Sequence, residues 1–188
     1  QDALLISADI IWFTDDVVER IEAVLKKELD LAPQNVLFFG THTHSAPTLS
    51  GEKANREWVH VLENKAIAAA SLAKTRLQEA SLIAGRGTSK IGINRREQTP
   101  NGRIILGLNP DGPNDRELIV VGVNGVDGKP IAWVCNFSCH GTVLSQRNYV
   151  ISGDWPGPAA TQMEASLGGA CLFINGGADN IAPRIDRQ

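Results

Sequence analysis

The sequence predicts an α/β protein, a mixed β-sheet core flanked by helices with the site at strand ends. Two patterns carry this. Stretches with apolar residues at helical spacing alternate with short apolar runs bounded by loop residues. Polar, reactive side chains then collect where those runs stop, beside glycines and other small residues.

Residues 2–11 are an apolar stretch that reads as a buried strand ending in a loop. Thr14 is placed to cap a helix over residues 15–30, with Asp15 and Asp16 in its first turn and Lys26 and Lys27 near its end. Val18, Ile21, Leu25 and Leu29 recur on its face, and Pro33 is expected to end it. Val36 to Phe39 reads as a buried strand. A second helix over about residues 53–80 has Trp58, Val61, Leu62, Ala66, Ala69, Leu72, Ala73 and Leu77 as its expected buried face. Short β segments follow around 82–84 and 90–93, then turn chemistry at Asn109-Pro110-Asp111-Gly112-Pro113. Leu118–Val123 and Ile131–Phe137 form a hairpin through residues 124–128. Asp154 can cap a third helix, with Pro156 in its first turn and Gly168-Gly169 after Leu167. Residues 170–174 are a last buried strand.

With 188 residues, 43% hydrophobic and 21% charged, the chain suffices for one domain with a core and is neither disordered nor collagen-like. A formal charge of −3 leaves no basic footprint for nucleic acid. No apolar run approaches the roughly 18–20 residues of a membrane span. The chain opens on Gln1 rather than Met and stops at Gln188 just after a glycine-rich motif, which predicts a single domain over 1–188 that is a piece of a longer protein. Three cysteines cannot close a disulfide framework. Cys135 and Cys139 precede His140, but their spacing is not that of a zinc ribbon, so they and Cys171 read as small buried apolar residues.

Three strand ends carry the chemistry. His42-Thr43-His44 follows the first; in extended backbone, residues two apart point to one side, so both imidazoles face one metal, or one binds while the other works as acid or base. Thr41 and Thr43 supply hydroxyls to support them. Two surface histidines would explain the same tripeptide, but His140 follows a second strand and strengthens the metal reading. His60, mid-helix beside Trp58, reads as structural. Asn175 and Asp179 follow the last strand. Asp154 is either a helix cap or a carboxylate that orients a histidine or touches the metal. Arg95 and Arg96 either bind a substrate oxygen or oxyanion or are surface charge.

Six segments together resemble the catalytic N-terminal domain of the neutral/alkaline, non-lysosomal ceramidase family. Gly40-Thr41-His42-Thr43-His44-Ser45-Ala46-Pro47 is similar to its GTHTHSGP, and Ile93-Asn94-Arg95-Arg96 to its INRS. Asn109 to Pro113 is similar to its NPEGP turn, and Asn136-Phe137-Ser138-Cys139-His140-Gly141-Thr142 to its N-F-x-x-H-[GP]-T. Ile151-Ser152-Gly153-Asp154 matches its ISGD, and residues 175–184 resemble its GDVSPN segment. The matches are collinear over nearly the whole chain.

The resemblance implies a zinc-dependent amidase that cleaves the N-acyl bond of ceramide or a related lipid through a zinc-activated water. It implies His42 and His140 as Zn2+ ligands, His44 beside the water or substrate, Arg95 on the substrate or oxyanion, and Asp179 as a further catalytic residue. It also implies a lipid-like substrate, peripheral contact with a membrane surface, no nucleic acid partner, and an extracytoplasmic or secreted location. There are two departures. The family's serine in the GDVSPN segment falls on Ala182, which favours zinc-hydroxide chemistry over a serine acyl-enzyme. The family's remaining metal ligands, a Glu and a Tyr, lie downstream of this segment, so the expectation is a half-built zinc site with Asp154, Asp179 and His44 as the only further donors. Two other readings stay open: a degenerate, non-catalytic member that binds metal or a lipid-like ligand, and an unrelated metal-dependent esterase or phosphoesterase, whose two-metal form needs more carboxylates.

Overall fold

A computed structural model describes residues 3–184. The first strand, β1, covers Leu4–Ala8, and residue 2 of its expected span lies outside the described residues. Helix α1 covers Asp15–Leu29. Its buried stripe is Val17, Ile21 and Leu25, so Val17 rather than Val18 faces inward. Each of these fully buried side chains contributes roughly 1.5–3 kcal/mol. Thr14 holds the N-cap position but makes no side-chain capping bond. The helix ends earlier than Pro33: Asp30 turns left-handed (φ 54°) and its N–H reaches the Leu25 carbonyl, the αL stop usually given to glycine. Pro33 instead opens a short 3-10 turn, Pro33–Asn35, that leads into β2, Val36–Gly40.

Helix α2 covers Arg56–Thr75, shorter than expected, capped by the Asn55 side chain on the Trp58 N–H (3.0 Å). It buries Val59, Glu63, Ala66 and Ala70, while Val61, Leu72 and Leu77 are exposed. Of the expected face, Ala66 is buried and Trp58 and Leu62 pack against the core, while the rest of the stripe is rotated. One cause is Glu63, which faces inward and pairs with Arg20 of α1 at 2.7 Å, tying the two helices together. Both helices pack over Ile6, Ile10 and Val36 in one core cluster.

The remaining strands are β3 (Ala80–Thr88), β4 (Gly92–Gln98), β5 (Ile104–Asn109), β6 (Glu117–Gly125), β7 (Pro130–Phe137), β8 (Ala170–Asn175) and β9 (Ile181–Pro183). Helix α3, Pro156–Leu167, lies between β7 and β8. β1 and β2 pair parallel; β3-β6-β7-β8 form a four-stranded sheet and β5-β4-β9 a three-stranded one. The β6–β7 hairpin is as expected, with β8 parallel to β7. A second core cluster joins Cys135, Phe137, Cys139, Phe173 and Ile181 to Trp155 and Met163. Ser7 Oγ donates to the Phe173 carbonyl (2.6 Å), which fastens β1 beside β8. The result is an α/β fold with mixed sheets flanked by three helices. Among the described residues, no helix is long and apolar enough to cross a membrane.

Candidate metal centre

The first two histidines sit where β2 leaves its partner. Gly40 passes so close to β1's following loop that a Cβ there would lie 2.6 Å from the Ile11 carbonyl oxygen, so glycine is needed. Thr41 and His42 donate their N–H groups to the Ala8 and Ile10 carbonyls (2.9 and 3.0 Å). The backbone then leaves extended geometry. His42 adopts φ 64°, a left-handed conformation that costs a non-glycine residue about 1 kcal/mol or more. The two rings therefore converge through a turn, not through strand alternation. Their centroids are 5.2 Å apart.

His140 arrives from the loop after β7. A single parallel bridge joins Thr43 to Gly141: His44 N–H donates to the Gly141 carbonyl (2.9 Å) and Gly141 N–H to the His42 carbonyl (3.2 Å). A Cβ on Gly141 would lie 2.9 Å from both the His42 oxygen and the Thr43 Cα. The close approach brings the His140 ring to 4.5 Å from His42 and 5.5 Å from His44. Thr43 is fully buried beneath them, its hydroxyl donating to the Ser152 carbonyl (2.8 Å).

The ring nitrogens are already divided between two tasks. His42 Nδ1 lies 3.1 Å from the Ile11 carbonyl, and His140 Nδ1 lies 3.0 and 2.9 Å from the carbonyls of Ala178 and Ile181. Carbonyls only accept, so Nδ1 carries the proton and each Nε2 keeps its lone pair. Burial is the first cause that lowers all three imidazole pKa values. The Arg95 guanidinium lowers all three further, and His140 falls to about 4. All three rings are thus neutral near pH 7, the state in which imidazole binds metal.

The donor set fits a metal ion. One ligand atom from each of His42, His44 and His140 lies within 4.8 Å of the others. Zinc–nitrogen bonds of about 2.0–2.1 Å in tetrahedral geometry need nitrogens roughly 3.4 Å apart, so modest ring rotations close the set. Backbone carbonyls orient two of the rings, as partners of metal-binding imidazoles do.

The other expected residues are placed around this cluster. Arg95 sits at an irregularity in β4 between Asn94 and Arg96, and bulges of this kind re-aim a side chain. Its Nε donates to the Asp179 carbonyl (3.0 Å). Asp179 itself is largely exposed, its carboxylate 3.3 Å from Arg96 and 4.0 Å from Arg95, outside the histidine group. Asp154 is left-handed (φ 51°), and Trp155, not Asp154, holds the N-cap position of α3. Its carboxylate accepts the N–H groups of Val143, Leu144 and Trp155 (3.0, 3.0 and 2.8 Å), so it shapes the loop after His140. His60 is on the far helix, against Glu63. Ala182 is buried in β9, opposite Ile93. A cleft of about 600 Å³ adjoins the cluster, lined by His44, Ser45, Arg95, Leu106, Arg147 and Asp154.

Sequence reasoning passed over several contributors. Trp155 donates its indole N–H to the His140 carbonyl (2.8 Å). Asp9 accepts the Thr41 hydroxyl (3.0 Å). Gly141 makes the bridge possible. The only local signal for any of these is the glycine directly after His140.

No protein-family model matches the sequence, and no curated protein matches it either. Solved structures do. Neutral ceramidase from Pseudomonas aeruginosa superposes with a TM-score of 0.81 at 21% identity, over 95% of this chain and 31% of that one. A ceramidase complexed with C2 gives 0.81 and 21%, over 96% of this chain and 30% of the other. The chain thus spans just under a third of the length of those proteins. At this identity the likeness is one of architecture, and these residues have the fold of that third of neutral ceramidase.

Proposed function

We propose that the chain is part of a zinc-dependent hydrolase that cleaves an N-acyl amide bond, in ceramide or a related lipid. The observation that carries the reading is the convergence of His42, His44 and His140 from two separate sheets, with two rings held Nδ1-protonated by backbone carbonyls. That the fold is shared with neutral ceramidase structures makes an N-acyl lipid the first substrate to try. When bound, zinc supplies a Lewis acid that polarises the amide carbonyl and acidifies water.

His42 and His140 are the proposed ligands, and both are the more sheltered rings. His44 is the exposed one and faces the cleft, where it holds or passes a proton beside the scissile bond. Arg95 lines the same cleft and stabilises the oxygen that gains charge as the carbonyl is attacked. Asp179 accepts from Arg96 and lies beside Arg95, so its role is to position that guanidinium pair. Further metal donors come from sequence outside the described residues. A lipid-like substrate favours contact with a membrane surface, and the family resemblance extends the proposal to a location outside the cytoplasm.

The test is metal analysis of the full protein with a substrate panel of N-acyl sphingosines, N-acyl amino acids and simple esters. One zinc per chain, lost in His42→Ala and His140→Ala with the fold intact, is the expected result. Unchanged zinc in both variants overturns the ligand assignment.

Ala182 favours a second reading, a member that binds without turnover. It places a methyl group where the resemblance puts a hydroxyl. No turnover by zinc-loaded full protein, with activity appearing in Ala182→Ser, would establish it.

A further inference from the structure

A cluster of three sulfur atoms, separate from the histidines, lies at the cavity that Trp155 also lines. Cys135 Sγ on β7 is 3.3 Å from Met163 Sδ on α3 and 3.8 Å from Cys171 Sγ on β8; Cys171 Sγ is 3.9 Å from Met163 Sδ. The three atoms form a closed triangle. Bonds from a metal to thiolate run about 2.3 Å, so three sulfurs around one ion in a plane stand about 4 Å apart. The triangle therefore has nearly the size of an occupied trigonal site. We propose that Cys135, Cys171 and Met163 bind one soft monovalent metal ion, copper(I), independently of the histidine cluster.

Three further observations favour an ion over plain packing or a disulfide. Cys135 is paired in register with Phe173, and Cys171 with Trp133. The cysteines are thus offset by two residues on neighbouring strands, which puts their Cα atoms about 8 Å apart. That exceeds the roughly 7 Å a disulfide can span, so an S–S bond needs the strands to slide, whereas an ion closes the gap as it stands. Both cysteines are free thiols. A cavity of about 880 Å³ is lined by Cys135, Met163 and Cys171 and supplies an entry path. The rest of its wall is apolar except for Ser89, Lys90 and Arg184.

The donor types select the metal. Two thiolates and a thioether are soft ligands of the kind taken by copper(I), zinc and iron–sulfur clusters; three sulfurs in a near-equilateral triangle match three-coordinate copper(I) and fall one donor short of the tetrahedral set of structural zinc. On binding, each thiol loses its proton, the ion forms two bonds to thiolate and one to the thioether, and two protons leave. The site then carries one net negative charge, with Lys90 and Arg184 on the wall of the same cavity and the Glu164 carboxylate beside Cys171. The frame is built before the ion arrives. Glu164 accepts the Cys171 N–H (2.8 Å), fixing α3 against β8 one residue from Met163.

The test is anaerobic titration of the protein with copper(I) against a competing chelator, read by thiolate-to-metal charge transfer and X-ray absorption. One equivalent with sulfur as the only first neighbour is expected. Met163→Leu, which keeps side-chain size, should weaken binding roughly tenfold or more. Cys171→Ser should remove the charge-transfer band, and His42→Ala should leave it in place. Nitrogen neighbours in the bound protein, or binding unchanged in Met163→Leu, would overturn the proposal even if Cys171→Ser fails to fold.

Discussion

Thr43 and Gly141 form the single parallel bridge that joins the β1–β2 unit to the β6–β7 hairpin at the histidine cluster. Residues on both sides of it carry the imidazoles, so the bridge sets the distance between them. Gly141→Ala places a methyl group 2.9 Å from the His42 oxygen and the Thr43 Cα. The neighbours are backbone and cannot swing away, so we expect a loss of roughly 1–3 kcal/mol in urea unfolding. Zinc affinity in a competition assay should fall in the same variant, because the ring of His140 moves off His42.

Acid should unfold the metal-free protein through these imidazoles. The folded pKa of His140 is about 4, below its ordinary 6.5, chiefly through burial. Between those values the unfolded chain binds the proton and the folded chain does not, so stability is lost as pH falls from about 6.5 towards 4. At 1.36 kcal/mol per unit the loss reaches up to about 3 kcal/mol. Urea midpoints in EDTA at pH 7, 5.5 and 4.5 measure it, and His140→Asn should flatten the slope.

Arg95→Gln removes the cation that lowers all three imidazole pKa values. Proton NMR titration without metal should show His42, His44 and His140 each titrating higher than in the unmodified protein. The His140 value should stay below 6.5, because burial is the larger cause and remains. Hydrolysis of an N-acyl substrate should fall in the same variant by roughly 10²-fold or more, the usual cost of one oxyanion donor.

Trp155→Phe keeps the ring that packs edge-on against Phe137 and Phe173 but deletes the N–H held by the His140 carbonyl. The expected cost is about 1 kcal/mol in thermal or urea unfolding. A larger change in zinc affinity than in stability would show that the indole positions the His140 backbone for the metal.

Much of this was legible in the sequence where order is local. Helix α1, the β6–β7 hairpin and the stretch of α3 follow from spacing, turn residues and prolines. β9 was not, because it is three residues long and exists only through pairing with β4. The face of α2 was legible in part: Trp58, Leu62 and Ala66 pack on the core, but Val61 and Leu72 are exposed while Glu63, paired with Arg20, faces inward. At the site, the histidines stand out by residue type and position. The left-handed turn at His42, the bridge at Gly141 and the carbonyl partners of Nδ1 depend on distant backbone, which no local pattern encodes.

The bridge also makes the imidazoles a strain gauge. His42 and His44 ride on one sheet and His140 on another, and packed interiors transmit displacement instead of absorbing it. Any shear between the two sheets, whether from a substitution under α1 or from a partner pressing on β8, is read out as a change in the bite of three nitrogens. The spacing of the three imidazoles therefore reports on the seating of the layers, far from the residues that carry the rings.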